Sequence, residues 1–575
     1  MRDLKPVRTS RSETLLLALL GVTAVLGFSC TSSPGPPQQA QPPATQPPAT
    51  QPPATQPPAT QPPGSGSPSP VDAASGRFVM SNAALISLWV DPGSGNDSAT
   101  GASADQALRS VSEAWRRVPA STTLTQGYRI LLQPGTYSAA LLPNYMEYRW
   151  GTSQSPVIIQ AAQGRGTARL TGDLNVFSTR HLYLIDLEID RSGDAFHCEQ
   201  CSYVLIRNSR LWGGTGAHET IKVNQSDHIY IEDSDIGGAE DNAIDFVAVH
   251  EGHIRGNKIH DAIDWCAYAK GGSSGITVDG NEIYNCGTGG FTAGQGTGFE
   301  FMQTPWLQYE AYGIAVTNNV IHDTEGAGLG VNGGYNIVMA YNTLYRIGSR
   351  SHAVEFVHGS RGCDGDTVTC AAHRSAGGWG TTDAGGQYIP NKHVTFANNV
   401  IYNPAPFVTA WQHFAVAGPT TPPAGSGAPS PAKADDDLRI FGNVIWNGGS
   451  AMSVGFGDGC ADSNPTCSES QVLTANAVNT LEPSLADPLN GVWTPALGSA
   501  LQTRFAQAIP AWSWADAPAG VPMVAAPSFA TDRSGRARVS AGHPGAYEPQ
   551  FAVACRKSAK LSAVSQHRRT SVKSA

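Results

Sequence analysis

Acidic residues are unevenly placed along this 575-residue chain: ten of its 46 Asp and Glu fall between Asp227 and Asp264, beside two bases, Arg255 and Lys258. On strands about 4.8 Å apart, such carboxylates repel one another unless a cation or a basic partner compensates them. Calcium is the expected partner, a hard ion that takes several carboxylate and carbonyl oxygens. Alternation sharpens the set. In ETIKVN, Ile221 and Val223 flank Lys222; in DNAIDFV, Ile244 and Phe246 flank Asp245; in CAYAKGG, Ala267 and Ala269 precede Lys270. With the apolar residues pointing inward, Lys222, Asp245 and Lys270 project from adjacent strands of one face. A lysine beside a metal and partly desolvated can give up its proton and act as a general base. The bland alternative is a surface salt-bridge ladder, whose exposed pairs contribute about 0–1 kcal/mol each.

A repeat must position these residues. The phrase apolar-x-x-Asn-x-apolar recurs as IRNSRLW, IEDSDIG, IRGNKIH, VDGNEIY, VTNNVIH, MAYNTLY, FANNVIY and IFGNVIW, after an earlier LIDLEID. Its equivalent positions are Leu187, Ser209, Ser234, Asn257, Asn281, Asn319, Asn342, Asn399 and Asn443, spaced 22, 25, 23, 24, 38, 23, 57 and 44 residues apart. A period near 23 with three insertions is a solenoid signature. Leucine-rich repeats share the period but need Leu at most core positions and a helical return; here Val, Ile, Gly and Asn dominate. The expected fold is all-β, a right-handed parallel β-helix with long loop insertions. Its stacked Asn side chains hydrogen-bond between rungs at a bend and tolerate left-handed backbone.

The flanks carry a resemblance. LWVDPGSGNDSATG, the amphipathic segment 108–118 and ILLQPGTY resemble the opening of pectate-lyase-like β-helix proteins, which implies a short helix capping the first coil. EDNAID (240–245) and Lys270-Gly271-Gly272 resemble the family-nine pectate lyases, with their acid-rich calcium loop and later Lys before small residues. That resemblance implies Glu240, Asp241 and Asp245 as calcium ligands, joined by Asp264 of the same acid-rich stretch, and Lys270 as the base. The implied reaction is β-elimination across a uronic-acid glycosidic bond, with calcium acidifying the C5 proton. Lys222 and Arg255 are expected to meet the acidic polysaccharide, and Trp306 and Tyr309 to stack on sugar rings. Two alternatives stay open. A β-helical glycoside hydrolase would draw its carboxylates from Asp241, Asp245 and Asp264, although the polygalacturonase motifs are absent. A non-catalytic carbohydrate-binding or adhesive β-helix is the other.

Composition bounds the rest. Acids exceed bases by 46 to 37, for a charge of −9, which argues against a phosphate-neutralising nucleic-acid binder. The 63 Gly disfavour an all-helical protein. Arg2, Lys5, Arg8 and Arg11 precede an apolar run, 15–28, that reads as an export signal too short for a membrane span. Its end, Ser29-Cys30, resembles a lipoprotein signal, which implies a lipid on Cys30 as the chain's contact with a membrane. QPPAT repeats follow, a polyproline-II stalk. The expected segments are a signal (1–30), a Pro-rich linker (31–76), a cap with first coils (77–180), the β-helix core (181–480), a C-terminal cap segment (481–550) and a basic tail (551–575), in an exported monomer. Four local cysteine pairs are expected disulfides: Cys198 with Cys201, Cys266 with Cys286, Cys363 with Cys370 and Cys460 with Cys467. Zinc on the first pair is the lesser alternative. The last two pairs sit in polar segments with the same seven-residue offset and are expected to staple loops.

Overall fold

The protein is described by a computed structural model covering residues 70–550, apart from 191–193, 215–217, 364, 383–384, 450–451, 457–458, 511–512, 522–526 and 541. The signal with Cys30, nearly all of the linker and the basic tail lie outside the described residues.

Each repeat phrase belongs to one rung of a right-handed parallel β-helix. On a representative rung the chain runs from Ile221 through a left-handed bend at Gln225 (φ 47°) to Glu232, turns at Asp233 (φ 51°), and forms Asp235–Ala239 before Ile244–Arg255 opens the next rung. Three faces result. On the first, Ile221 stacks on Ile244 and Ala267; on the second, Ile231 on Ile254 and Val278; on the third, Ile236 on Ile259 and Ile283. All nine side chains are fully buried. Burying one Ile or Val stabilises by about 1.5–3 kcal/mol, so the β-branched inward positions carry the fold.

The bend between second and third faces holds the expected ladder. Backbone N–H groups of Ser234, Asn257, Asn281, Asn319, Asn342 and Asn399 each donate to the side-chain oxygen of the ladder residue one rung on, at 2.8–3.0 Å. Asn443 continues it to Asn476, one rung beyond the repeats legible in the sequence. The left-handed conformation falls on the residue before each ladder Asn, such as Gly256, Gly280, Asn318 and Gly442, rather than on the Asn itself. The ladder side chain is therefore free to point inward and bridge.

Rows of rings run outside the helix. His260 and His322 sandwich Tyr284 at 4.7 and 4.9 Å. Each imidazole is gripped by two carboxylates: His260 by Asp261 (2.7 Å) and Asp235 (2.9 Å), His322 by Asp323 (2.8 Å) and Glu282 (3.4 Å), and His228 by Asp227 (2.7 Å) and Glu251 (3.0 Å). Burial alone would lower these imidazoles, but the paired carboxylates outweigh it and raise all three, His228 to about 9. A raised histidine stabilises fully below its unfolded value of about 6.5, and that contribution is lost as pH climbs through the folded value. Melting temperature should therefore fall from pH about 6.5 to about 9, and His228→Gln should flatten part of that slope. An unchanged slope in thermal melts of the variant would remove His228 from the account.

All four expected disulfides form, so Cys198 and Cys201 are bonded to each other and are not a zinc pair. Cys266 and Cys286 differ from the loop staples Cys363–Cys370 and Cys460–Cys467. Cys266 opens its rung within Trp265–Lys270, and Cys286 ends the same rung as the last residue of Glu282–Cys286. Their bond closes one full coil across 20 residues, and both side chains lie in the core, Cys286 beside Ala262 of the preceding rung. A helix, Val111–Arg117, caps the first coil; the Ser110 side chain accepts from Glu113 N–H. Chain ends cover the second face. Phe78 packs on Tyr183 and Tyr230, and its N–H donates to Glu232. Farther along, Trp514 stacks on His393 at 3.8 Å and Asp516 pairs with Lys392 at 2.8 Å. Among the described residues no helix is long and apolar enough to cross a membrane.

Candidate active site

The outer side of the first face carries the predicted chemistry. His197, Lys222, Asp245, Tyr268, Thr292, Gly330 and Glu355 follow one another in register, one per rung. Lys222 and Asp245 are thus direct neighbours. The residue facing Asp245 on the next rung is Tyr268, and Lys270 stands one outward position farther along, opposite Val247. The three expected side chains share one face, but the lysines occupy two columns.

Their bonding differs accordingly. Lys222 Nζ lies 3.1 Å from Glu219 Oε1 and 3.5 Å from Asp245 Oδ2. Burial opposes its charge, yet Asp245 and Glu219 more than compensate and raise its pKa. Lys270 Nζ donates to Gln295 Oε1 at 3.0 Å and lies 4.3 Å over the Tyr268 ring. Among the described residues no carboxylate pairs with it within 4.0 Å. The salt-bridge ladder is therefore real for Lys222 and Asp245 and stops before Lys270. Tyr268 is nearly fully buried, and burial with the surrounding acids holds it as a neutral phenol.

The acid-rich stretch divides by face. Glu232 pairs with Arg207 and His253, Asp233 with Arg77, and Asp227, Asp235, Glu251 and Asp261 grip histidines. Glu240, Asp241, Asp245 and Asp264 remain, clustered by sequence at the edge of the first face. Glu240 is exposed. Burial and then the neighbouring Asp264 raise Asp241, and burial pushes Asp245 up to about 6 against the pull of Lys270 and Lys222.

Two carboxylates that the sequence pattern did not single out complete the site. Asp194 and Glu219 precede the first inward residues of their strands, Phe196 and Ile221, by the same two positions. Their carboxylate oxygens and a His218 nitrogen all lie within 4.8 Å of one another. Among the described residues, Asp194 Oδ1, Glu219 Oε2 and Asp245 Oδ1 are buried without a hydrogen-bond partner. Burial of such an oxygen is costly unless a cation meets it, so these residues fit a divalent ion. The shared offset was the signal available in the sequence.

Other predicted contacts fall elsewhere. Arg255 lies at the far end of its strand on the second face, paired with Asp279 at 2.7 Å beneath Gly76. Tyr309 is buried against Tyr312, Tyr335 and Trp379, so it offers no ring to a sugar. Trp306 is half-buried and stacks on His250 at 3.4 Å. Cys266 and Cys286 face the core beneath the site, bonded to each other, and present no sulfur to its outer surface. The glycines of 287–301 serve packing: a Cβ on Gly289 would lie 2.3 Å from the Trp265 ring, and one on Gly294 2.1 Å from the Asn332 carbonyl.

A buried pair anchors the Lys270 turn. Gly271 and Gly272 are left-handed (φ 65° and 84°), and a Cβ on Gly272 would stand 2.3 Å from the Trp306 carbonyl. Gly271 N–H donates to Glu310 Oε2 at 3.1 Å, Gly272 N–H to the Glu310 carbonyl at 2.9 Å, and Thr297 Oγ1 to Glu310 Oε2 at 2.6 Å. Arg361 Nη2 meets Glu310 Oε1 at 2.5 Å, both side chains being wholly buried. Its guanidinium also donates to the carbonyls of Trp379 (2.7 Å), Gln308 (3.1 Å) and Leu307 (3.4 Å).

Residues 194–401 match the family model described as right handed beta helix region, in accord with the rung geometry. No curated protein matches the sequence at a significant level. Among solved structures, the chain is similar to pectate lyase Pel9A, at 14% identity over 82% of this chain and 98% of that one, with a TM-score of 0.42. It is also similar to the Azotobacter vinelandii mannuronan C-5 epimerase AlgE4 A-module (14% identity, 50% and 85% covered, TM-score 0.34). The Streptococcus pneumoniae surface protein and adhesin PfbA aligns at 12% identity over 60% of this chain and 81% of that one, with a TM-score of 0.32.

Proposed function

We propose that the protein is an exported enzyme that cleaves a uronate-containing polysaccharide by β-elimination, with Lys270 as the base and a divalent cation, calcium, on the adjoining carboxylates. The observation that carries this reading is the contrast between the two lysines: Lys222 is locked between carboxylates, whereas Lys270 is held by an amide and a ring face; among the described residues it is free of ion pairs, and the carboxylate oxygens of the same face lack hydrogen-bond partners. Asp194, Glu219 and Asp245 would hold the cation, with Asp241 and Asp264 adding negative charge beside it. Bound there, the ion would draw charge from the uronate carboxylate and make the C5 proton more acidic.

The chain's residues do the remainder. Lys270 Nζ, unprotonated at the moment of transfer, takes the C5 proton. The C5–H electron pair becomes the C4–C5 double bond, the C4–O4 bond breaks, and the departing oxygen is protonated from solvent. Gln295 and the Tyr268 ring hold the lysine clear of a direct ion pair with a carboxylate, which would keep it protonated. A cation shared between acidic enzyme and acidic polymer also reconciles the net charge of −9 with such a substrate. The four disulfides support an oxidising compartment, and in this reading Cys30 carries the lipid that tethers the enzyme.

The test is incubation with a panel of polyuronates and uronate-containing heteropolysaccharides, following the ultraviolet absorbance of the unsaturated product with and without a chelator. Absorbance that rises, stops on chelation and returns with calcium is expected. No absorbance on any polymer sinks the lyase reading; new reducing ends without absorbance would move it to a hydrolase, and binding without turnover to an adhesin.

A further inference from the structure

The outer side of the first face continues past the rung of Lys270, and its character changes. Thr292 Oγ1 donates to Asn332 Oδ1 at 2.7 Å, Asn332 Nδ2 donates to Glu355 Oε1 at 3.1 Å, and His352 Nε2 lies 3.0 Å from Glu355 Oε2. Glu355 is three rungs beyond Tyr268 in register, about 14 Å along the face at the usual strand spacing. Beside it stands Trp411, 59% exposed, with its ring 5.9 Å from that of His352 and its backbone N–H bonded to the Ser351 carbonyl at 3.2 Å. The nearby guanidinium, Arg350, is engaged by Glu325 at 2.6 Å and by the Gly287 carbonyl.

A large indole left open beside a row of hydrogen-bonding groups is a platform for a sugar ring, whose C–H face packs on the indole while its hydroxyls meet the polar row. The charge in that row is a carboxylate. A uronate placed over it would set its own carboxylate against Glu355, with Arg350 already paired, and like charges brought together disfavour binding. A neutral sugar meets no such repulsion and gives its hydroxyl protons to Glu355.

We infer that Glu355, His352, Asn332 and Trp411 form a subsite for a neutral sugar, so that the substrate alternates uronate with neutral residues and is not a homopolyuronate. The inference rests on the reading of Lys270 as the point where a uronate is cleaved, and narrows it.

Equilibrium binding to the Lys270→Ala protein, which removes turnover, tests it with oligosaccharides of gellan and hyaluronan, in which uronate and neutral residues are interspersed, against those of polygalacturonate and alginate. At least tenfold tighter binding of the mixed polymers is expected. Trp411→Ala in that background should erase most of the difference without moving the melting temperature, and Glu355→Lys should shift the preference toward polygalacturonate. Equal binding of both classes, or binding indifferent to Trp411, overturns the subsite. Turnover by the wild-type protein separates the two readings. Unsaturated product with Trp411-independent binding keeps the lyase and removes the subsite, whereas Trp411-dependent binding of mixed polymers with no product anywhere removes the lyase and keeps the subsite.

Discussion

Lys270→Ala should lower the rate of unsaturated-product formation by about 10²–10⁴-fold, the range expected when a positioned general base is lost. The fold should be untouched, because among the described residues the ammonium makes a single hydrogen bond, to Gln295, and one ring contact. Lys270→Arg sharpens the test. An arginine keeps the positive charge near Asp245 but stays protonated, so it cannot accept the C5 proton. If Lys270 only balances charge or grips the polymer, the arginine variant should retain most of the activity; if Lys270 is the base, both variants should be equally slow with near-normal binding. Lys222 behaves differently in this account. Its replacement by Ala leaves the Glu219 and Asp245 carboxylates buried without their cation, so melting temperature should fall along with activity. Initial rates and thermal melts on the three variants decide the matter, and an arginine variant within threefold of wild type would count against the base.

The rungs were legible because a parallel β-helix writes its geometry into a fixed period. Ile231, Ile254 and Val278 recur at the spacing that stacks them, and Asn257, Asn281 and Asn319 recur where the ladder needs an amide. The outward positions of Lys222, Asp245 and Lys270 followed from the same alternation. What alternation could not supply was the column: the constant step of 23 residues puts Tyr268 beside Asp245 and leaves Lys270 one outward place along, and the extra residue of this rung falls after Lys270, in the two-glycine turn. Acid density was a blunter guide. It counted Asp227, Glu232, Asp235 and Glu251 with the site, although the helix turns them onto other faces where histidines and Arg207 meet them. It also passed over Asp194 and Glu219, which stand in less acidic sequence two rungs and one rung before Asp245 yet are brought to the same face by stacking. Tyr309 misled for a related reason. In a loop insertion the sequence has no period to say which side of a ring faces solvent, and three neighbouring aromatic rings claimed this one.

Insertions also hide the group on which the Lys270 turn depends. Glu310 and Arg361 come from two different interruptions of the repeat, 51 residues apart, and meet with both side chains at 0% exposure. Removing one partner of such a pair leaves an uncompensated buried charge, so Arg361→Met should destabilise the protein by about 3–5 kcal/mol in a denaturant titration. The apolar double replacement, Glu310→Leu with Arg361→Met, removes that charge and should recover part of the loss. Recovery should be incomplete, because Gly271 N–H, Thr297 Oγ1 and three carbonyls from two loops lose the groups that satisfy them. Activity should not follow stability back. Glu310 fixes the two-glycine turn that aims Lys270, and apolar packing can restore volume there without restoring direction, so the double variant should be folded, bind polymer and still turn over slowly. Arg361→Met within 1 kcal/mol of wild type (on the order of a surface substitution) would show that the pair is not what holds the two loops together. A double variant as active as wild type would show that Lys270 is aimed by the strand alone.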